Sequence, residues 1–186
     1  MPAPLPTRVR VASLAAAPLA LLAPLAVPLA AQVDFSALES MAARSVGPSG
    51  QGGRVSAIDV LHSDPDVIYV GAAAGGVWRS TSGGNAWEPI FDDQSVQSIG
   101  VIAVDQRNPD VIWVGTGEGS PRNSVNHGNG IYRSLDGGES WEHMGLEGSR
   151  AIHRIILHPS EPGVVYVGVT GSPFGDSRER GVYRTR

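Results

Sequence analysis

The sequence predicts an all-β protein assembled from repeated four-stranded units. Of its 186 residues, 24 are glycine and 14 are proline, and both residue types interrupt helices. Short runs of β-branched residues, each bounded by turn-forming residues, recur along most of the chain. The glycines follow no three-residue period, which excludes a collagen-like fold.

The composition excludes several kinds of chemistry. The chain has no cysteine, so disulfides, thiol catalysis and cysteine-ligated metals are excluded. All 14 basic residues are arginine, and a chain without lysine has neither a P-loop nor a Schiff-base site. The formal net charge is −4 without a basic stripe, so we do not expect a nucleic-acid partner. We also expect neither a cofactor nor a bound metal.

Residues 1–31 have the layout of a secretory signal peptide. Arg8 and Arg10 precede an apolar run from Val11 to Ala31 that closes on small residues. The run is long enough to span a membrane, so a retained anchor is the alternative, although prolines interrupt it. We expect a secreted or periplasmic protein that has no membrane contact once the signal is cleaved.

Residues 32–46 predict a short helix and a linker. Ser36–Arg44 has Ser36 and Glu39 at capping-box spacing, and its apolar face is expected to pack against the first repeated unit.

One pattern occurs in three gap-free copies. Arg54–Gly71 reads RVSAIDVLHSDPDVIYVG, Ser98–Gly115 reads SIGVIAVDQRNPDVIWVG, and Ala151–Gly168 reads AIHRIILHPSEPGVVYVG. Each copy holds two β-branched runs around a proline turn, which predicts a pair of adjacent antiparallel strands.

A second block follows each copy and predicts two more strands. Gly76–Trp87 reads GVWRSTSGGNAW, Gly130–Trp141 reads GIYRSLDGGESW, and GVYRTR begins at Gly181. A four-stranded unit that recurs every ~40–55 residues is typical of a β-propeller. We expect blade 1 at 47–91, blade 2 at 92–146 and a partial blade 3 at 147–186. An incomplete propeller is therefore predicted, with the remaining blades of a full-length chain as partners.

Ser134–Trp141, SLDGGESW, resembles the Asp-box, also called the bacterial neuraminidase (BNR) repeat, and Ser80–Trp87 is a copy with Ser82 in place of the aspartate. We call Ser80–Trp87 and Ser134–Trp141 the first and second outer turns. The stretch from Ser45 to Arg186 is similar to the start of sortilin-type propellers, which are often labelled bacterial glycosyl hydrolases. The resemblance implies the fold and says little about function, because the box occurs in sialidases, oligoxyloglucan-type hydrolases and a photosystem assembly factor.

The residues that carry this resemblance are expected to be structural. Asp136 is predicted to accept hydrogen bonds from the amides of Gly137–Glu139, and Trp141 to cover the turn and anchor the outermost strand. A calcium site at Asp136 and Glu139 is the alternative, but no ladder of oxygen ligands accompanies them. The full set of structural residues is Ser80, Ser82, Gly84, Trp87, Ser134, Asp136, Gly138 and Trp141. Arg79, Arg133 and Arg184, one in each third strand, are expected to pack between strands or to support these turns.

Two long connections between strands are the segments most suited to bind a ligand. Thr116–Asn129 and Val169–Arg180 are expected at the end opposite the outer turns, as part of a ligand rim. Gly115–Gly119 mimics a phosphate-binding loop, but Pro121 argues against the helix that such a loop requires. The candidate ligand-binding residues are Glu118, Arg122, Asn123, Asn126 and His127.

Two functions remain open from the sequence. The first is a binding or scaffold propeller for a peptide or a glycan. The second is a glycoside hydrolase, because such enzymes use two facing carboxylates. The candidate acids are Asp92, Asp93, Glu118 and Asp176.

Overall fold

The structure, a computed structural model, describes residues 54–120 and 125–185. The predicted signal peptide and the predicted helix at Ser36–Arg44 lie outside the described residues, as do Arg122 and Asn123. Within the described ranges the strands are β1 (Val55–Val60), β2 (Ile68–Ala72), β3 (Val77–Ser80), β4 (Glu88–Pro89), β5 (Ile99–Val104), β6 (Ile112–Thr116), β7 (Ile131–Ser134), β8 (Glu142–His143), β9 (Ile152–Leu157), β10 (Val165–Val169) and β11 (Gly181–Arg184). A 3₁₀ turn, Glu147–Ser149, precedes β9.

These strands form three antiparallel sheets in chain order. The first sheet runs β1-β2-β3-β4, the second runs β5-β6-β7-β8, and the third is built from β9, β10 and β11 in the described residues. The predicted all-β fold with four-stranded antiparallel sheets is thereby confirmed. None of the helical segments within the described residues is long and apolar enough to cross a membrane.

Each first strand carries a β-bulge at the same position of the repeat. The pairing register skips Ser56 in β1, Gly100 in β5 and His153 in β9. A bulge bends its strand and changes where the extra side chain points. We call these residues the bulge positions, and they lie near the end of the sheets where the long connections emerge.

Neighbouring sheets pack face to face, with a glycine of one sheet in contact with an isoleucine side chain of the next. A Cβ on Gly71 would lie 2.5 Å from the side chain of Ile99, and one on Gly115 would lie 2.6 Å from that of Ile152. Glycine therefore allows the next sheet to approach closely. Ile99 and Ile152 are fully buried in the two cores that result.

Hydrogen bonds join the first strands of neighbouring sheets. Ser56 Oγ donates to the Ile99 carbonyl at 2.6 Å, and the Val104 amide donates to the Asp59 carboxylate at 2.8 Å. Paired polar groups of this kind fix the relative register of the sheets as well as holding them together.

Candidate ligand site at the loop end

The loops divide between two ends of the sheets. At one end the amides of Gly83 and Gly137, in the two outer turns, donate to the carbonyls of Asp66 and Asp110, both at 3.0 Å. We call this the turn end. At the other, the loop end, the long connections bond to the segments that link the sheets. The Gly117 amide donates to Ser98 at 2.8 Å and the Thr170 amide donates to Ala151 at 3.0 Å.

The base of the first long connection is closed by one buried hydroxyl. Thr116 is completely buried, and its Oγ1 donates to the Gly130 carbonyl at 2.6 Å. The same oxygen accepts the amides of Asn129 and Gly130, at 2.9 and 3.1 Å. The two ends of the connection are therefore held together. Binding a ligand then costs less conformational entropy of the connection.

Glu118 lies in this connection as a buried, charge-paired carboxylate. Its exposed fraction is 3 %, and it forms an ion pair with Arg54, which directly precedes β1. Its amide donates to Ser98 Oγ at 3.0 Å and to the Asn126 carbonyl at 2.9 Å. Burial of a carboxylate requires such a partner, so Glu118 joins the first and second sheets rather than facing solvent.

Asn126 and His127, also predicted ligand residues, are exposed at the loop end. The Asn126 carbonyl accepts from Ser98 Oγ at 3.1 Å as well as from the Glu118 amide, which holds the backbone. The exposed side chain makes one long hydrogen bond, from Nδ2 to the Ala73 carbonyl at 3.5 Å. Of the five predicted ligand residues, Glu118 is thus engaged within the protein, Asn126 and His127 face solvent, and Arg122 and Asn123 lie outside the described residues.

His153 was missed by the sequence reasoning and lies beside this connection. It is the bulge position of β9, and its imidazole ring occupies the space where a Cβ of Gly119 would stand. Burial lowers the pKa of His153 below its ordinary value of 6.5, so the ring is neutral at pH 7. One signal in the sequence could have found it. The third residue of each repeat is the bulge position, and only in the third repeat is this residue a histidine, His153, where the others have Ser56 and Gly100.

The second long connection is held by one arginine. Arg180 Nε donates to the Thr170 carbonyl at 2.8 Å, and its Nη2 donates to those of Ser172 and Gly175 at 2.9 and 3.2 Å. Phe174 is 67 % exposed in this connection, and Asp176 is also exposed. The connection therefore displays an aromatic ring and a carboxylate on a fixed backbone.

Asp92 and Asp93 lie in a separate place. They line a cleft of about 420 Å³ between the first and second sheets, together with Arg79, Glu139 and Trp141. Glu118 does not line this cleft. The sequence placed these three acids on one face, but the structure does not bring them into one cavity. Nor do three His, Asp or Glu side chains gather at metal-binding distance within the described residues.

The second outer turn is closed by the Asp136 carboxylate. It accepts the Ser140 amide at 2.9 Å and the hydroxyls of Ser140 and Ser134 at 2.5 and 2.7 Å. The Gly138 amide donates instead to Ser134 Oγ at 2.8 Å. We predicted the amides of Gly137–Glu139 as the donors to Asp136, but the main amide donor is the next residue, because Ser134 takes one of the glycine amides.

The first outer turn repeats this arrangement with a hydroxyl. Ser80 Oγ accepts the Gly84 amide at 2.9 Å, and Ser82 Oγ accepts the Ala86 amide at 2.9 Å. Ser82 therefore serves as acceptor where Asp136 does, although Ala86 has no hydroxyl to add a second bond.

The two tryptophans of the outer turns behave differently. Trp87 donates from Nε1 to Gly84 within its own turn, at 2.9 Å. Trp141 donates to the Ile90 carbonyl of the preceding segment at 2.6 Å, and it packs edge-on against Phe91 with ring centroids 5.0 Å apart. Trp141, which the sequence predicts to cover its turn and to anchor the outermost strand, also joins two sheets through its ring.

Comparisons with known proteins support the fold class. No family model matches the chain, and no curated protein matches it. A GH74 enzyme from Niastella koreensis has a similar structure, with 23% identity over 72% of this chain and 19% of that one, and a TM-score of 0.53. The GH74 xyloglucanase from Xanthomonas campestris is 24% identical over 76% of this chain and 20% of that one, with a TM-score of 0.54.

YCF48 from Cyanidioschyzon merolae is also similar, at 18% identity over 74% of this chain and 35% of that one, with a TM-score of 0.49. The two GH74 structures are β-propellers, so the chain has the strand arrangement of a propeller segment. It spans about a fifth of the length of the GH74 structures.

Proposed function

We propose that this chain belongs to a secreted or periplasmic β-propeller whose loop end binds a peptide or a glycan. The observation that carries the proposal is the pair of long connections, each held by internal hydrogen bonds while other side chains remain exposed. Thr116 and Arg180 hold the two connections. Amide, imidazole, aromatic and carboxylate groups then face solvent at one end: Asn126, His127, Phe174 and Asp176.

This mixture of groups suits an extended polar ligand. Aromatic faces pack against the apolar faces of sugars or against peptide side chains, while amide and carboxylate groups fix their orientation. We propose that the outer turns are Asp-boxes of the BNR type in a sortilin-like propeller, and that further blades complete the ring. Their hydrogen bonds and their location at the turn end support a structural role for these turns.

The binding proposal is tested by arrays of glycans, including xyloglucan oligosaccharides, and of peptides, probed with the purified protein. For the best ligand, Phe174→Ala should weaken binding by about tenfold, which is the usual effect of removing an aromatic anchor. Leu135→Ala is the matched control, because Leu135 is equally apolar and 59% exposed but follows β7 at the turn end. Equal affinity for the Phe174 variant and the unchanged protein would contradict the proposed site.

A glycoside hydrolase is the alternative, and it requires two carboxylates on either side of one glycosidic bond. Among the described residues, Glu118 is paired with Arg54 and the aspartates at 92 and 93 line a different cleft. Binding is therefore the function that this geometry supports better. Release of reducing sugar from xyloglucan, abolished by Glu118→Gln in a variant that still folds, would establish the hydrolase instead.

Export is a separate part of the proposal. It rests on the signal-like pattern of residues 1–31. Mass spectrometry of the exported protein should find Gln32 at the new N-terminus, and retention of residues 1–31 in a membrane fraction would favour the anchor.

A further inference from the structure

Arg150 carries an exposed guanidinium on a strained backbone. Its φ is 58° and its ψ is −39°, and among the described residues only Leu146 is another non-glycine residue with a positive φ. Residues with a Cβ populate such conformations sparsely, and glycine adopts them at a lower cost. A strained residue of this kind persists where its side chain has a use, so the arginine at this position calls for an explanation.

The backbone hydrogen bond of Arg150 does not account for its side chain. The Arg150 carbonyl accepts the Gly128 amide at 2.8 Å, and a glycine at this position would accept it equally well. Gln97 holds the equivalent repeat position, and its side chain donates to three carbonyls of its own link. None of the hydrogen bonds and ion pairs among the described residues includes the Arg150 guanidinium, which is therefore free to contact a ligand.

Arg150 lies where the two long connections meet. Its carbonyl binds the amide of Gly128 in the first connection. The carbonyl of the next residue, Ala151, accepts the amide of Thr170 in the second connection, at 3.0 Å. The second connection displays the exposed ring of Phe174 four residues after this bond. Arg150 is thus anchored at the loop end, between the two segments that carry the proposed ligand-binding groups.

The other charges of this region are balanced or paired within the described residues. In the first connection Glu118 pairs with Arg54. The second connection carries two acids and two arginines, namely Asp176, Glu179, Arg178 and Arg180. Glu147, in the link that leads to Arg150, has its carboxylate 3.7 Å from the ring of His143. The Arg150 guanidinium is therefore the cation best placed to receive an anionic group of a ligand.

We propose that Arg150 binds the carboxylate of a uronic-acid residue in a glycan at the loop end. This inference rests on the function proposed for that end and names its ligand class. A planar guanidinium holds a carboxylate through two parallel hydrogen bonds, and the exposed ring of Phe174 packs against the apolar face of a sugar. A uronic acid carries both groups on one rigid ring, whereas a peptide carries them on two flexible side chains whose ordering costs entropy. The glycan is therefore the ligand that these groups favour.

The probe is an oligogalacturonate, which is titrated into the purified protein by calorimetry and compared with its methyl-esterified form. We expect the acid form to bind about tenfold more tightly, because esterification removes the charge that pairs with the guanidinium. Arg150→Gln should abolish this preference. Arg154→Gln is the matched control and should keep it, because Arg154 is another exposed arginine but lies within β9 rather than in a link at the loop end.

A second variant separates a binding role from a structural one. Arg150→Gly relieves the backbone strain, so it should lose the preference for the acid form without any loss of thermal stability. No binding of oligogalacturonate, or equal affinity of the Arg150→Gln variant and the unchanged protein, would overturn the inference. Tighter binding of an oligoglutamate peptide would also overturn the assignment to a glycan. If Phe174→Ala weakens binding of a ligand that Arg150→Gln leaves unaffected, the function of the loop end stands and the role of Arg150 falls.

Discussion

At the scale of a single residue, hydrogen bonds lower the pKa of the Asp136 carboxylate. The Ser140 hydroxyl, the Ser140 amide and the Ser134 hydroxyl lower its pKa from 3.8 to about 2. Because the pKa in the folded state is below that in the unfolded state, the ionised carboxylate stabilises the fold above about pH 4. This stabilisation is lost as the pH falls towards about 2.

We therefore expect Asp136→Asn to lower the melting temperature at pH 7, with a difference from the unchanged protein that shrinks between about pH 4 and pH 2. Circular dichroism melts over this range measure the difference. Ser82→Asn is the control, because Ser82 has no charge to titrate. A difference that stays constant down to pH 2 would show that the charge of Asp136 does not matter.

Arg150 is a strained residue at the loop end. Its φ is 58° and its ψ is −39°, a sparsely populated conformation that costs a residue with a Cβ about 1–3 kcal/mol. Its carbonyl accepts the Gly128 amide at 2.8 Å, so the conformation helps to hold the first long connection. The side chain is exposed.

Arg150→Gly should consequently stabilise the protein by up to about 1 kcal/mol, since relief of strain exceeds the entropic cost of glycine. Urea unfolding measures the change. Arg154→Gly in the extended strand β9 is the control, and it should destabilise by about 1 kcal/mol. A loss of stability in both variants would show that the Arg150 side chain makes contacts that outweigh the strain.

At the scale of the strands, glycines at equivalent repeat positions differ in what they contact. A Cβ on Gly115 of β6 would lie 2.6 Å from Ile152 and 2.7 Å from Val101. One on Gly168 of β10 would meet only Arg154, at 3.3 Å from its Cβ and 3.8 Å from its carbonyl oxygen. Both repeats therefore keep the glycine, but only Gly115 has the next sheet packed against it.

Gly115→Ala should destabilise the protein by about 1–3 kcal/mol through overpacking, whereas Gly168→Ala should change stability by less than about 0.5 kcal/mol. Chemical denaturation of the pair measures this difference. Equal effects would indicate that the second and third sheets are not in close contact in solution.

At the scale of the whole molecule, the third sheet has one face that no other described residue covers. Val77 and Ile131 have exposed fractions of 0 % and 3 %, but Val182 at the equivalent position is 80 % exposed. Ile156 on the same face is 50 % exposed. Exposed apolar faces of this kind favour association.

We expect the purified chain to self-associate as its concentration rises, and Val182→Glu to reduce the association. Light scattering coupled to size-exclusion chromatography measures the mass. Phe174→Glu, which alters an exposed apolar residue away from this face, should leave the mass unchanged. A monomer at all concentrations would mean that the face does not drive association.

The loop end was partly predictable from the sequence. The lengths of the two connections and their exposed groups at Asn126, His127 and Asp176 follow from the chain itself. The burial of Glu118 does not, because its partner Arg54 is far away in the chain and nothing in their spacing links them. His153 was missed because a lone histidine in a β-branched run looks like any other strand residue.

The sequence by itself determined the strands, their order within each sheet and the chemistry of the outer turns. These properties depend on neighbours close in the chain: alternation along a strand, proline and glycine at turns, and a serine or aspartate beside the amides it accepts. The tertiary structure alone decided which sheet Trp141 joins, which glycine receives Ile152, and which outer turn Arg79 supports, through its bond to the Gly137 carbonyl at 2.7 Å. Those contacts form between separate repeats, so residues at equivalent repeat positions meet different neighbours depending on which sheet lies beside them.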